Sequence, residues 1–483
     1  MTPAMRLIHM MKTGLLLLLT SLIALTALNA ADAGIANPPT SGDIESVEHV
    51  GQLVRECTLP GHTRADDVVP RSANCIQISA TRWLIVYATH GYRGVDDERS
   101  IIYQVRSDAP DGSVLKEGFL ARSEMDWKEQ GLPTPAEGSV YYKQLGHGVV
   151  FGVPKGALIG GKPAPHANLF VAKWRVSGRA IDVKTGFMPF EGVDRSIGQR
   201  VEWMQFRLND REDDIEIVQP VAQLRQKGFE KGEAFCSADV KRMNQSFCQP
   251  VVANDDFTEW ADANAFNESR VAALRYRFHP ESHRYEWVET GPMLGGDPKR
   301  GFGEPSLVCL ADGWIAAGRG ATEIGWARAK DPFTAWSPPE FTQDPPGRVP
   351  LTVYRCADGV TRLFCNDIRV NSTRQIRNPL FCWDVDVEHG FATSNRREIF
   401  SVARGNLPIR PESHAKIDFP HLFPLHGRTQ LVAHGVSMRA MNFPTERSPD
   451  IPIQNAAEKA AAGLYYSRIT YRKAPPPVWQ FAK

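Results

Sequence analysis

At 483 residues, 42% of them hydrophobic and 23% charged, the chain can bury a large core, which excludes a disordered or low-complexity protein. A formal net charge of +1 supplies no global field to recruit nucleic acid or an anionic membrane, so neither is an expected partner. Eight cysteines are too few to build a disulfide-dependent fold at this length.

Residues 1–33 read as a secretory signal. Arg6 and Lys12 precede an apolar stretch from Gly14 to Leu28, and Ala31-Asp32-Ala33 supplies a small-x-small cleavage pattern. The stretch is short for a bilayer span and contains Thr and Ser. The expectation is a secreted or periplasmic monomer, free of the membrane after cleavage, with residues 34–483 as one domain.

From Arg71 to Arg106 the chain reads as three short strands. Apolar runs at Cys75 to Ile78, Trp83 to Tyr87 and Ile101 to Val105 alternate with polar turns, a pattern of antiparallel strands rather than helices. The motif of strand, tight turn and strand then recurs. It begins again at Glu137 (EGSVYYKQLGHGVVFG), near Gln249, and at Glu304, Val349 and Phe419. In four of these copies an Asp-Gly or His-Gly pair supplies the turn, because glycine reaches positive φ freely. Each copy is followed by a second strand-rich half.

Six similar four-stranded units, none able to bury both faces alone, predict an all-β, six-bladed β-propeller. Val201 to Gly228 is strand-rich and unassigned, so seven blades is the alternative. Lys231 to Gln249 reads as a polar loop and Ala456 to Gly463 as a short helix. Cys236 and Cys248 bracket that loop and are the candidate disulfide pair. Cys75, Cys309, Cys365 and Cys382 lie inside apolar runs and read as small buried side chains. No Cys/His spacing fits zinc, and neither a phosphate loop nor a dinucleotide fingerprint appears, so no metal or cofactor is expected.

In a four-stranded meander, the entry to the innermost strand and the loop between strands two and three share one rim. This rule gathers Arg71, His90, Arg93, Asp96, Asp97, Arg99, Glu137, Lys155 and His166 from the first two blades. Glu304, Arg319 and Glu323 come from blade four; Asp367, Arg369 and Arg377 from blade five; Asp418, His434 and Arg439 from blade six. Several arginines at one mouth repel one another unless an anion lies between them, and a guanidinium fork pairs with a carboxylate. Acidic residues among them offer proton transfer to an acetal oxygen. The expected ligand is an acidic sugar, free or within an oligosaccharide or polysaccharide.

These residues resemble the sialidase (neuraminidase) superfamily of six-bladed propellers. The resemblance rests on Arg71 before an inner strand with Asp96 and Asp97 after the next, on Glu304 followed by Arg319, and on Arg377 before a later strand. Remnants of the family's Asp-box occur at Ser107-Asp108 with Asp111-Gly112, and at Asp331 with Trp336. It implies an acid at Asp96 or Asp97, a carboxylate-binding set of Arg71, Arg319 and Arg377, and an acidic partner at Glu137. Where the family carries a nucleophilic tyrosine, Asp418-Phe419-Pro420 stands, and phenylalanine has no oxygen to attack with. Tyr465 and Tyr466 read as core.

The leading expectation is a glycosidase with Asp96, Asp97, Glu304 and Asp418 as catalytic candidates. Its binding set is Arg71, Arg93, Arg319, Arg377, His90, His166, Glu137 and His434. Two other readings remain open. One is a propeller lyase of uronate polymers using His90, His166 or His434 as base. The other is a glycan-binding propeller without turnover.

Overall fold

In the computed structural model, described residues run from 44 to 483, apart from 67, 92–97, 125–127, 129–133, 135, 136, 138, 183–199, 225–249, 268, 269, 296, 298, 346–348, 368, 371–376, 409–412, 441–455 and 483. The signal-like stretch, Arg93, Asp96, Asp97, Cys236 and Cys248 lie outside them.

Strands dominate because the apolar runs are short, β-branched or aromatic, and cut by turn residues. Blade one is Val68–Ser79, Arg82–Gly91, Glu98–Ser107 and Val114–Ala121, hydrogen-bonded in that order. Blades four and five repeat the pattern from Gly303–Cys309 and Thr352–Arg355. In blade three the inner strand shrinks to Val251–Val252, and Leu294–Gly295 adds a fifth strand. Blade six runs Ser413–Leu422, Thr429–Ala440 and Gly463–Tyr471, and its outermost strand is Ile44–Val54 from the other end of the chain.

Six hydrophobic clusters show how these sheets meet, since each joins neighbouring blades. Leu84 and Val105 pack with Phe170 and Met204 between blades one and two. Phe151 and Val201 meet Leu274 and Tyr285 between two and three. The series continues through three and four, four and five, and five and six. Cys75 and Tyr87 against Leu431 and Tyr466 then close the ring between six and one. The chain is therefore an all-β propeller in which every sheet buries both faces against its neighbours.

Blade two departs from the sequence reading. His147-Gly148 is not a hairpin turn: Ser139–Val153 is one long strand paired along its length with Leu169–Asp182. His147 takes a left-handed φ of 53° at a register shift between Gly146 and Val149, so the pair forms a β-bulge. Val201 to Gly228 then supplies the two outer strands, Arg200–Leu208 and Ile215–Gln223, rather than a seventh unit. Consequently residues 154–168 join strands one and two, on the opposite rim. Lys155 there donates its backbone N–H to Ile78 O, 2.8 Å away at the far end of blade one's inner strand.

That rim also receives the C-terminal tail. Gln480–Phe481 pairs with Ala157–Ile159, and Trp479 stacks on Phe257 with ring centroids 4.4 Å apart. The short helix Ala456–Ala461 falls where the sequence places it, with Glu458 fully buried. Cys75, Cys365 and Cys382 are buried free thiols and Cys309 is half-buried.

Between blades two and three lies a fully buried ion pair, Lys173 with Asp262. Lys173 Nζ also donates to Tyr276 Oη at 2.9 Å, while Tyr276 Oη and Asn264 Nδ2 donate to Asp262 Oδ1 at 3.2 and 3.0 Å. Removing one member leaves a buried charge without its partner. Asp262→Ala is expected to cost about 3–5 kcal/mol in urea unfolding, whereas Lys173→Met with Asp262→Leu should lie near wild type. A single variant as stable as the parent would show that the pair is dispensable.

Candidate functional site

The inner strands of blades one, four and six each carry a bulge. Arg71-Ser72 lies opposite Ala88, Glu304-Pro305 opposite Gly318, and Phe419-Pro420 opposite His434. Proline has no N–H for the ladder, so Pro305 and Pro420 favour such breaks, and a bulge re-aims the side chains beside it. Glu304 and Phe419 have φ of 47° and 52°, a left-handed conformation that costs a non-glycine residue about 1–3 kcal/mol.

Arg71, Arg377 and Lys416 converge on Asp418. Arg71 Nη2 and Nε reach Asp418 Oδ2 and Oδ1 at 2.8 and 3.4 Å, Arg377 Nη1 reaches Oδ2 at 2.6 Å, and Lys416 Nζ lies 3.3 Å from Oδ2. The Asp418 side chain is fully buried. Burial alone would raise its pKa, but the charges of Arg71, Lys416 and Arg377 outweigh it and hold the carboxyl well below its usual range. Among the described residues, Arg71, Arg377 and Lys416 all reach the one carboxylate of Asp418. Arg377 and Lys416 are its more exposed members, at 14% and 12% against 5% for Arg71.

His90 lies against this cluster, its Nδ1 3.1 Å from Arg71 Nη1. A guanidinium can only donate, so Nδ1 is the acceptor and the ring proton sits on Nε2. Below, the Phe419 ring lies 5.0 Å from Arg71 Cζ and 4.7 Å from the His147 ring. His421 Nδ1 is 3.3 Å from Tyr354 Oη, and Thr352 Oγ1 donates to Pro420 O at 2.8 Å. Gly435 backs Arg71 so closely that a Cβ there would sit 2.6 Å from Arg71 Cγ.

By topology Glu304 and Arg319 belong to the same rim, at the start of Gly303–Cys309 and the end of Trp314–Arg319. Arg319 Nη1 donates to Glu304 Oε1 at 3.0 Å. Glu304 Oε2 is enclosed and has no hydrogen-bond partner among the described residues. A left-handed backbone and a carboxylate oxygen without a hydrogen bond thus coincide at Glu304. Further round, Asp367 is occupied by Arg369 and Arg396, and burial, which would raise its pKa, is outweighed by those contacts. Glu137 is exposed just ahead of blade two's inner strand.

Two sequence candidates fall elsewhere. His166 is buried on the opposite rim, because its loop joins strands one and two of blade two, and it packs against Phe278. His434 is mid-strand in Thr429–Ala440, fully buried against Phe400, and donates Nδ1–H to Val432 O at 3.2 Å. Burial pushes its pKa down to about 3, so it is a neutral core residue. Asp418 is also a poor base or nucleophile, being sealed and clamped by three cations. Tyr465 and Tyr466 are buried in blade six. Lys416 escaped the sequence reading, although it stands two residues before Asp418 and so faces the same side of the strand.

No family model matches the chain, and no curated protein matches it. Among solved structures it is similar to a protein of unknown function from Dyadobacter fermentans, with TM-score 0.50, 10% identity, and coverage of 89% of this chain and 100% of that one. NanB sialidase from Streptococcus pneumoniae gives TM-score 0.48 and 9% identity, covering 90% of this chain and 72% of that one. Trypanosoma rangeli sialidase gives 0.47 and 9%, covering 83% of this chain, which spans about half (54%) of that protein's length. At such identities the likeness concerns the fold.

Proposed function

We propose that the chain is an exported glycoside hydrolase that binds a carboxylated sugar at the rim carrying Asp418. The observation behind this reading is the convergence of two guanidinium groups on a single carboxylate. Arg71 and Arg377 both donate to Asp418, and Arg377, the more exposed of the two, favours an anionic ligand. Glu304, held through one oxygen by Arg319, is the carboxylate assigned to the chemistry, as base or nucleophile at the acetal carbon. On sequence grounds the acid is Asp96 or Asp97.

The lyase reading loses its bases. His90 offers Arg71 the lone pair on Nδ1 and carries its proton on Nε2, so in this tautomer it cannot take a proton from C5. His166 lies on the opposite rim, and His434, next to the Gly435 that backs Arg71, is fully buried with its Nδ1–H given to Val432 O.

Fluorogenic glycosides of sialic acid and of glucuronic acid test the proposal. Arg377→Ala should raise KM about tenfold to a hundredfold, the loss expected for a hydrogen bond to a charged group. Binding without cleavage at any pH would leave a glycan-binding propeller. No binding of either sugar would remove the acidic ligand altogether.

A further inference from the structure

A cavity of about 380 Å³ opens on the rim opposite the arginine cluster, in the seam where blade six meets blade one. It lies within the size range of ligand sites, roughly 300–1,000 Å³. Its walls differ in character. Pro110, Pro424 and Leu431 give an apolar side, while Glu48, Asp111 and Arg468 give a polar one.

The polar wall holds both donors and acceptors. Arg468 Nη2 lies 3.1 Å from Asp111 Oδ2, which also accepts from Tyr466 Oη at 3.3 Å. Glu48 is exposed and, among the described residues, accepts only from Ser46 Oγ at 3.3 Å. Arg468 and the buried Arg106, whose Nη1 donates to Pro110 O at 3.3 Å, balance Asp111 and Glu48, so the walls carry no net charge to draw an anion. A pyranose matches such walls: one face presents C–H groups to Pro110, Pro424 and Leu431, and its hydroxyls donate to Glu48 and accept from Arg468.

We propose that this seam cavity is a second carbohydrate site, selective for a neutral pyranose and separate from the anion-binding rim. It stands whether or not the proposed hydrolase activity does, since it uses none of the same residues. It also bridges the two blades at which the ring closes, with Glu48 on the N-terminal strand, Asp111 in blade one and Arg468 in blade six.

Ligand-observed saturation-transfer NMR on the whole chain tests it, with the methyl glycosides of glucose, galactose and mannose as neutral probes and methyl glucuronide as the acidic one. At least one neutral glycoside should bind, about tenfold more weakly to Glu48→Ala and to Thr470→Val, a residue that also lines the cavity, and unchanged to Arg377→Ala. Methyl glucuronide should show the reverse dependence. Absence of binding by all three neutral glycosides overturns the proposal, as does neutral-sugar binding that survives Glu48→Ala or is lost in Arg377→Ala.

Discussion

Glu304→Gln is expected to lower kcat on an acidic glycoside by about a hundredfold to ten-thousandfold, the range supplied by a positioned acid or base. Glutamine keeps the shape of the side chain and an oxygen for Arg319, whose Nη1 is 3.0 Å from Glu304 Oε1. It removes only the charge and the lone pair on the enclosed Oε2. The melting temperature should therefore stay near that of the parent while turnover collapses, with little change in KM. Unaltered kcat would take Glu304 out of the mechanism and leave its left-handed backbone as a packing feature alone.

Asp418→Ala should destabilise the fold by about 3–5 kcal/mol, because it strands three buried or half-buried cations without their shared acid. The same carboxylate makes stability depend on pH. Its folded pKa lies below that of an unfolded aspartate, about 3.9, so the stabilisation is complete above that value and declines as acid protonates the native group. The urea midpoint of the parent should fall as the pH drops below about 3.9, more steeply than that of Asp418→Asn, which has no such proton to gain. Parallel pH profiles would show that Asp418 does not carry the effect. Asp418→Asn should also tighten binding of an acidic sugar, since it removes one negative charge beside Arg71 and Arg377. A catalytic role for Asp418 would not produce that gain.

Much of the architecture is legible because the physics that writes it is local. Asp-Gly pairs between apolar runs mark hairpins, and unbroken runs such as Trp83 to Tyr87 show that both faces need covering, which stacked sheets provide. His147-Gly148 misleads, since a bulge within one strand and a turn between two both use a left-handed residue. That substitution moved Lys155 and His166 to the wrong rim. His434 misleads differently: nothing in the sequence marks where Thr429–Ala440 ends, so a residue in its middle looked terminal. Topology did bring Arg71, Arg377 and Asp418 to one rim, where ion pairs now join them. It could not show that Asp418 serves as their counter-ion, because burial decides that and burial is a property of packed neighbours. The prolines at 305 and 420 were a usable signal for the bulges.

The strand Ile44–Val54 completes blade six by pairing with Gly463–Tyr471, more than four hundred residues away along the chain. Pairing of Ile44–Val54 waits until Gly463–Tyr471 has been made, and contacts this distant in sequence are the slowest to form. Closure of the ring is thus a late event in folding, set by the meeting of these two strands.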